Sequence, residues 1–199
     1  MNNYIHLFKT GAVVFIISFF ALSCKETPIP KPKGYFRIAL PEKKYVLFDT
    51  IFPYSFEYPV YSKISINNNP NSELYWINLD FPRFNGSLQI TYKNLNHNLN
   101  KYIEDSHEYV NKHIPKATSI DTKVWSNGAY KVYGLTFDIE GIGVASPYQF
   151  YLTDSTTHFL RAALYFNTIP NNDSLAPVIQ FIKKDLNHLI ETFKWKFLK

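Results

Sequence analysis

The runs Tyr54-Ser55-Phe56-Glu57-Tyr58, Lys63-Ile64-Ser65-Ile66 and Ser87-Leu88-Gln89-Ile90-Thr91-Tyr92 alternate apolar with polar residues. A period of two leaves such a segment one good solution, a strand with one face buried. Tyr35–Ala39, Tyr75–Leu79, Lys123–Trp125, Tyr130–Phe137, Tyr148–Leu152 and Phe159–Phe166 read as further strands. Fifteen tyrosines and seventeen phenylalanines supply the ring area such strands bury. The Asn/Pro stretch Asn67–Asn71 and the stretch Pro82–Gly86 read as loops. Asn127-Gly128 predicts a tight hairpin, because both residue types accept positive φ.

Two segments carry a helical period instead. Leu99, Tyr102, Ile103, Ser106, Val110 and Ile114 share one face, with Asn98 as the expected cap and Pro115 as the stop. The second begins near Leu175, capped by Asp173 or Ser174, with Pro177 in its first turn. Its apolar stripe is Leu175, Val178, Ile179, Ile182, Leu186, Leu189, Ile190, Phe193 and Phe197. Strands, helix, strands, helix is the order of an α+β domain: an antiparallel sheet with two main helices packed on it. That order resembles the Mog1/PsbP-type α/β/α sandwich.

The first 23 residues have a different character. Lys9 precedes an apolar run from Ala12 to Leu22 that is too short to span a bilayer and ends in small residues. This is the layout of a secretory signal peptide, removed before folding. Ala21-Leu22-Ser23-Cys24 resembles the lipobox of bacterial lipoproteins, with alanine where leucine is more usual. The resemblance implies cleavage between Ser23 and Cys24 and lipidation of Cys24. At about 0.8 kcal/mol per buried methylene, two or more acyl chains anchor firmly. Lys25–Lys33, with three prolines in KETPIPKPK, reads as an extended tether holding the following domain roughly 30 Å from the membrane. From residue 34 to 199 the composition is even and one domain is expected.

Chemistry is sparse in this sequence. One cysteine forbids an intrachain disulfide and a multi-cysteine zinc site. There is no Gly-x-Gly-x-x-Gly and no Gly-x-Ser-x-Gly, and a formal charge of +5 is too mild to argue for nucleic acid. Glu104-x-x-His107 has the spacing of half a di-iron site, but the reversed pair His188 and Glu191 does not complete it. Asp154-Ser155 with His158 is equally what a turn between strands provides. Asp80, Asp138 and Glu140 are the carboxylates from which a glycan-cleaving pair would be drawn. Asp173-Ser174-Leu175 resembles the short O-glycosylation acceptor of Bacteroidetes, and capping explains it equally well. Trp76 and Trp125 sit in core-like strand positions. Trp195, set among Phe193, Lys194, Lys196 and Phe197, reads as partly exposed: a cover for the sheet edge or an anchor for a partner. The residues name no catalytic set, metal or cofactor.

Four stretches together resemble one family: PKPKGYFRIALPEKKY at 30 to 45, FDTIFPYSFEYPVYSKI at 48 to 64, LDFPRFNGSLQITYKNL at 79 to 95, and DSLAPVIQFIKKDL with HLIETFKWK at the end. They resemble the gliding-motility lipoproteins GldD of Bacteroidetes over nearly the whole chain after Cys24. The resemblance implies an outer-membrane-associated lipoprotein that works with protein subunits of the gliding machinery and its type IX secretion system. It carries over Cys24 as the lipidation site and no catalytic residue. A lipoprotein that binds a glycan or small molecule on exposed rings is the other reading. A ring-lined pocket would favour it, and an apolar patch rimmed by polar residues would favour the subunit.

Overall fold

The computed structural model describes residues 38–67, 70–168 and 171–196. The signal segment, Ser23, Cys24, the tether, most of the expected strand Tyr35–Ala39 and Phe197 lie outside the described residues. Among the described residues ten strands and two α-helices follow one another as β1 (Tyr45–Phe48), β2 (Tyr54–Pro59), β3 (Lys63–Ile66), β4 (Ile77–Phe81), β5 (Gly86–Asn94), α1 (Leu99–Asn111), β6 (Ser119–Asn127), β7 (Val132–Glu140), β8 (Tyr148–Thr153), β9 (His158–Phe166), α2 (Asn172–Thr192) and β10 (Lys194–Trp195). This is the α+β order read from the sequence.

All pairings are antiparallel. The main sheet has the order β3-β4-β5-β9-β8-β7-β6, and a three-stranded sheet has the order β1-β2-β10. Alternation decides which helix covers which face. On β8 and β9, Phe150, Leu152, Leu160, Ala162 and Leu164 point into a core built on α2 through Val178, Phe181, Ile182, Leu186, Leu189 and Ile190. The intervening Tyr151 and Phe159 point the other way, into a second cluster with Val110 and the partly buried Leu99, Tyr102 and Ile103 of α1. The helices therefore lie on opposite faces of the sheet, the three-layer arrangement expected. The larger core also takes Phe48, Tyr54 and Phe56 from the small sheet and Phe193. Burying each such ring or aliphatic side chain is worth about 1.5–3 kcal/mol.

Several local expectations are corrected. Ile38–Leu40 is not strand, and the first strand is Tyr45–Phe48, paired with Pro59–Phe56. Tyr75 and Trp76 precede β4 rather than opening it. Tyr75 has φ 68°, an uncommon conformation for a bulky residue, and its carbonyl accepts from the Tyr54 hydroxyl at 2.6 Å. The β6–β7 hairpin is present, but Asn127 is drawn into the strand opposite Val132. The loop is then Gly128–Lys131, and the positive φ falls on Lys131. Asn98 makes no capping bond to α1; its side chain accepts from the Asn96 amide instead. Helix α1 ends at Asn111, and Ile114 and Pro115 belong to a separate 3-10 turn. For α2 the cap is Asn171, whose side chain accepts from the Ser174 amide, so Asp173 and Ser174 lie inside the helix and Pro177 in its second turn.

Candidate functional site

Helix α2 places one carboxylate among its apolar residues, and three side chains donate to it. Asp185 is fully buried. One carboxylate oxygen accepts from Lys43 Nζ at 2.5 Å and from the Tyr45 hydroxyl at 2.7 Å; the other accepts from the Tyr61 hydroxyl. Lys43 also donates to the Phe181 carbonyl at 3.1 Å and sits 3.8 Å from the centre of the Phe181 ring. Burial, and then the bond and charge of Asp185, hold both tyrosines above the ordinary phenol range, so they act as donors. The other face of this junction is aromatic: Tyr45 stacks on His188 at 3.8 Å, and His188 Nε2 meets Glu57 Oε2 at 2.7 Å. The cluster clasps the segment entering the domain onto α2.

The residues singled out for chemistry are built into similar bonds. Asp154 Oδ1 accepts from the amides of Thr156, Thr157 and His158 at 2.8–3.0 Å. Burial raises the Asp154 pKa, but these amides outweigh it and hold the group below its usual value. His158 Nδ1 meets the Tyr92 hydroxyl at 2.7 Å. Burial lowers the His158 pKa against the opposing charge of Asp154 and pushes Tyr92 up to about 12. Asp80 is bridged by Ser65 and Ser87 at 2.6 and 2.7 Å, and Asp138 is ion-paired with the buried Lys183. His107 packs edge-on against Phe137, and Glu104 and His188 share no site with it. Among the described residues no group of three or more His, Cys, Asp or Glu is placed to hold a metal.

Trp195 lies in β10, opposite Tyr54 of β2. One face of its ring stacks on His158 at 5.0 Å, and Phe193 meets it at 4.7 Å and 80°. Its indole Nε1 is buried without a hydrogen-bond partner. With Ala129, Tyr130, Lys131, Asp154 and His158 it lines a cleft of about 310 Å³. Trp76 is half-buried and donates to the Tyr92 carbonyl at 2.8 Å; Trp125 is half-buried against the larger core.

The surface holds a feature the sequence reasoning missed. Along the β1–β2 hairpin Val46, Leu47, Ile51 and Val60 are exposed, Leu47 to 57% and Ile51 to 82%. Glu42, Lys44 and Asp49, nearby in the chain, are exposed as well. The signal was in the sequence: Tyr45-Val46-Leu47-Phe48 has no polar position for solvent, so a strand there at a sheet edge must show apolar side chains.

The solution structure of cyanobacterial PsbP (CyanoP) from Synechocystis sp. PCC 6803 is similar at a TM-score of 0.47 and 10% identity, covering 80% of this chain and 97% of that one. No curated protein matches. The family described as gliding motility lipoprotein GldD matches residues 25–195. With most of its length matched, the chain belongs to the GldD family of gliding motility lipoproteins, lipid-anchored proteins of the cell envelope.

Proposed function

We propose that this protein is a non-catalytic accessory or assembly subunit of the gliding and type IX secretion machinery, held at the outer membrane through acylated Cys24 after cleavage behind Ser23. The apolar residues Val46, Leu47, Ile51 and Val60 exposed along the β1–β2 strip carry the reading, because apolar side chains left in water at a sheet edge are what a protein partner would cover. Three further observations support it. Asp80, Asp138, Asp154 and His158 are all engaged in bonds that hold strands and turns. In the ring-lined cleft Trp195 stacks one face on His158, meets Phe193 edge-on and has a buried indole N–H, so much of that ring is taken up by packing within the fold. The family match opens at Lys25, directly after Cys24.

The test is in living cells. A photocrosslinking residue at Leu47 or Ile51 should capture subunits of the machinery, and Leu47→Asp should reduce both co-purification and gliding at unchanged thermal stability. Full gliding with Leu47→Asp would remove the strip from the contact. Specific recovery of a glycan or small molecule with the purified protein would favour the ligand-binding reading.

A further inference from the structure

The two edges of the main sheet are not alike. At one end β3 is four residues long; at the other β6 runs for nine, in unbroken register with β7 from Ser119↔Glu140 to Asn127↔Val132. It contains no proline and no positive φ, and Asp121–Val124 are exposed, Val124 to 72%. A long, regular, open edge is what natural sheets avoid unless something pairs with it.

The direction of its free backbone groups follows from one bond. The Ile139 amide donates to the Pro147 carbonyl at 3.0 Å, in the register that pairs Asp138 with Tyr148. Odd-numbered residues of β7 thus bond β8, and even-numbered residues bond β6. Asp138 stands opposite Asp121 and Thr136 opposite Lys123, so the odd residues of β6 bond inward. The amides and carbonyls of Ile120, Thr122, Val124 and Ser126 point out of the sheet edge.

We infer that β6 pairs antiparallel with β6 of a second copy of this chain, about a two-fold axis at Thr122, joining the two main sheets into one. The side chains choose this register. Asp121 stands opposite Lys123 of the partner copy and Lys123 opposite its Asp121, giving two cross-strand opposite-charge pairs. Ile120, partly buried on the α1 side of the sheet, stands opposite the exposed Val124 of the other copy, twice. Thr122 meets Thr122. Every outward amide from Ile120 to Val124 finds a carbonyl, and the residues that face each other lie on the same side of the sheet, as antiparallel pairing requires. A shift of the axis by one residue would set Lys123 opposite itself. This surface is separate from the β1–β2 strip, and the inference stands apart from the accessory-subunit reading.

Two experiments on the full-length protein test it. In cells, Thr122→Cys places two cysteines about 5.5 Å apart between Cα atoms, within disulfide range. Ser126→Cys places them roughly 26 Å apart, eight residues along the strand. Under a mild oxidant, with the unsubstituted chain as control, T122C should give a crosslinked homodimer and S126C none. Absence of the T122C dimer, equal crosslinking of both variants, or a T122C adduct with a different protein would overturn the inference. In detergent, sedimentation should show K123E weakening the dimer at least tenfold, since two attractive pairs become two repulsive ones. The swap D121K/K123E should restore it. A dimer constant unmoved by K123E, or a monomer throughout, would also overturn it.

Discussion

Lys43 and Asp185, 142 positions apart in the chain, meet as an ion pair 2.5 Å long whose carboxylate is fully buried. Such a pair binds two distant segments together, but its removal is costly chiefly because of what it strands. Replacing Asp185 with alanine leaves the ammonium of Lys43 and the hydroxyls of Tyr45 and Tyr61 without their acceptor. We expect Asp185→Ala to lower stability by about 3–5 kcal/mol and Lys43→Met to be costly as well, since it leaves a fully buried carboxylate with two neutral hydroxyls as its remaining side-chain donors. Chemical denaturation checks both. Limited proteolysis should find cleavage after Lys43 or Lys44 accelerated in Asp185→Ala.

Acid should weaken the domain through His158 and Asp154. His158 has a depressed pKa in the folded state, so the unfolded chain takes up its proton first. Stability is intact above the ordinary histidine value and declines as pH falls below it. Asp154 is also depressed, and its contribution, present above the ordinary carboxylate value, is lost as pH falls through its folded-state value. The denaturation midpoint should fall in two stages, below about pH 6.5 and again below about pH 4. His158→Gln should shrink the first stage, to which His113, also depressed by burial, contributes, and leave the second. A first stage unchanged in that variant would assign it elsewhere.

Trp195→Ala removes a ring packed between His158 and Phe193. A loss of about 2–3 kcal/mol is expected, less than for a fully buried tryptophan, with gliding retained at a temperature where the variant is folded. Lost gliding at unchanged stability would make Trp195 a contact with a partner rather than a cover for the sheet edge.

The anchor is tested by Cys24→Ala. Incorporation of labelled fatty acid and retention in the membrane fraction after a high-salt wash should both be lost, while the circular dichroism of the purified protein stays that of an α+β fold.

What could be read in the linear chain, and what could not, follows from where the information lies. The alternating runs gave β2, β3 and β5 to within a residue or two, because solvent on one face and core on the other is a local pattern. The stripe of α2 was equally legible. Strand β1 was not, since Tyr45-Val46-Leu47-Phe48 has no alternation to read. Tyr75 was misplaced because its left-handed backbone goes with a hydrogen bond from Tyr54, 21 positions away. The hairpin loop was misread because Asn127-Gly128 has the right local chemistry, while the register with Val132 is set across nine paired residues. The Asp185 cluster was out of reach for the same reason. One carboxylate in an apolar stripe is visible, but its donors lie 124 to 142 positions away.

Strand β2 has one neighbour from each end of the domain. Tyr45–Phe48 pairs along one side of it, and Lys194–Trp195 pairs along the other. The small sheet therefore cannot close until Lys194 and Trp195 reach β2, so the two ends of the described domain are fastened to one another through a single strand.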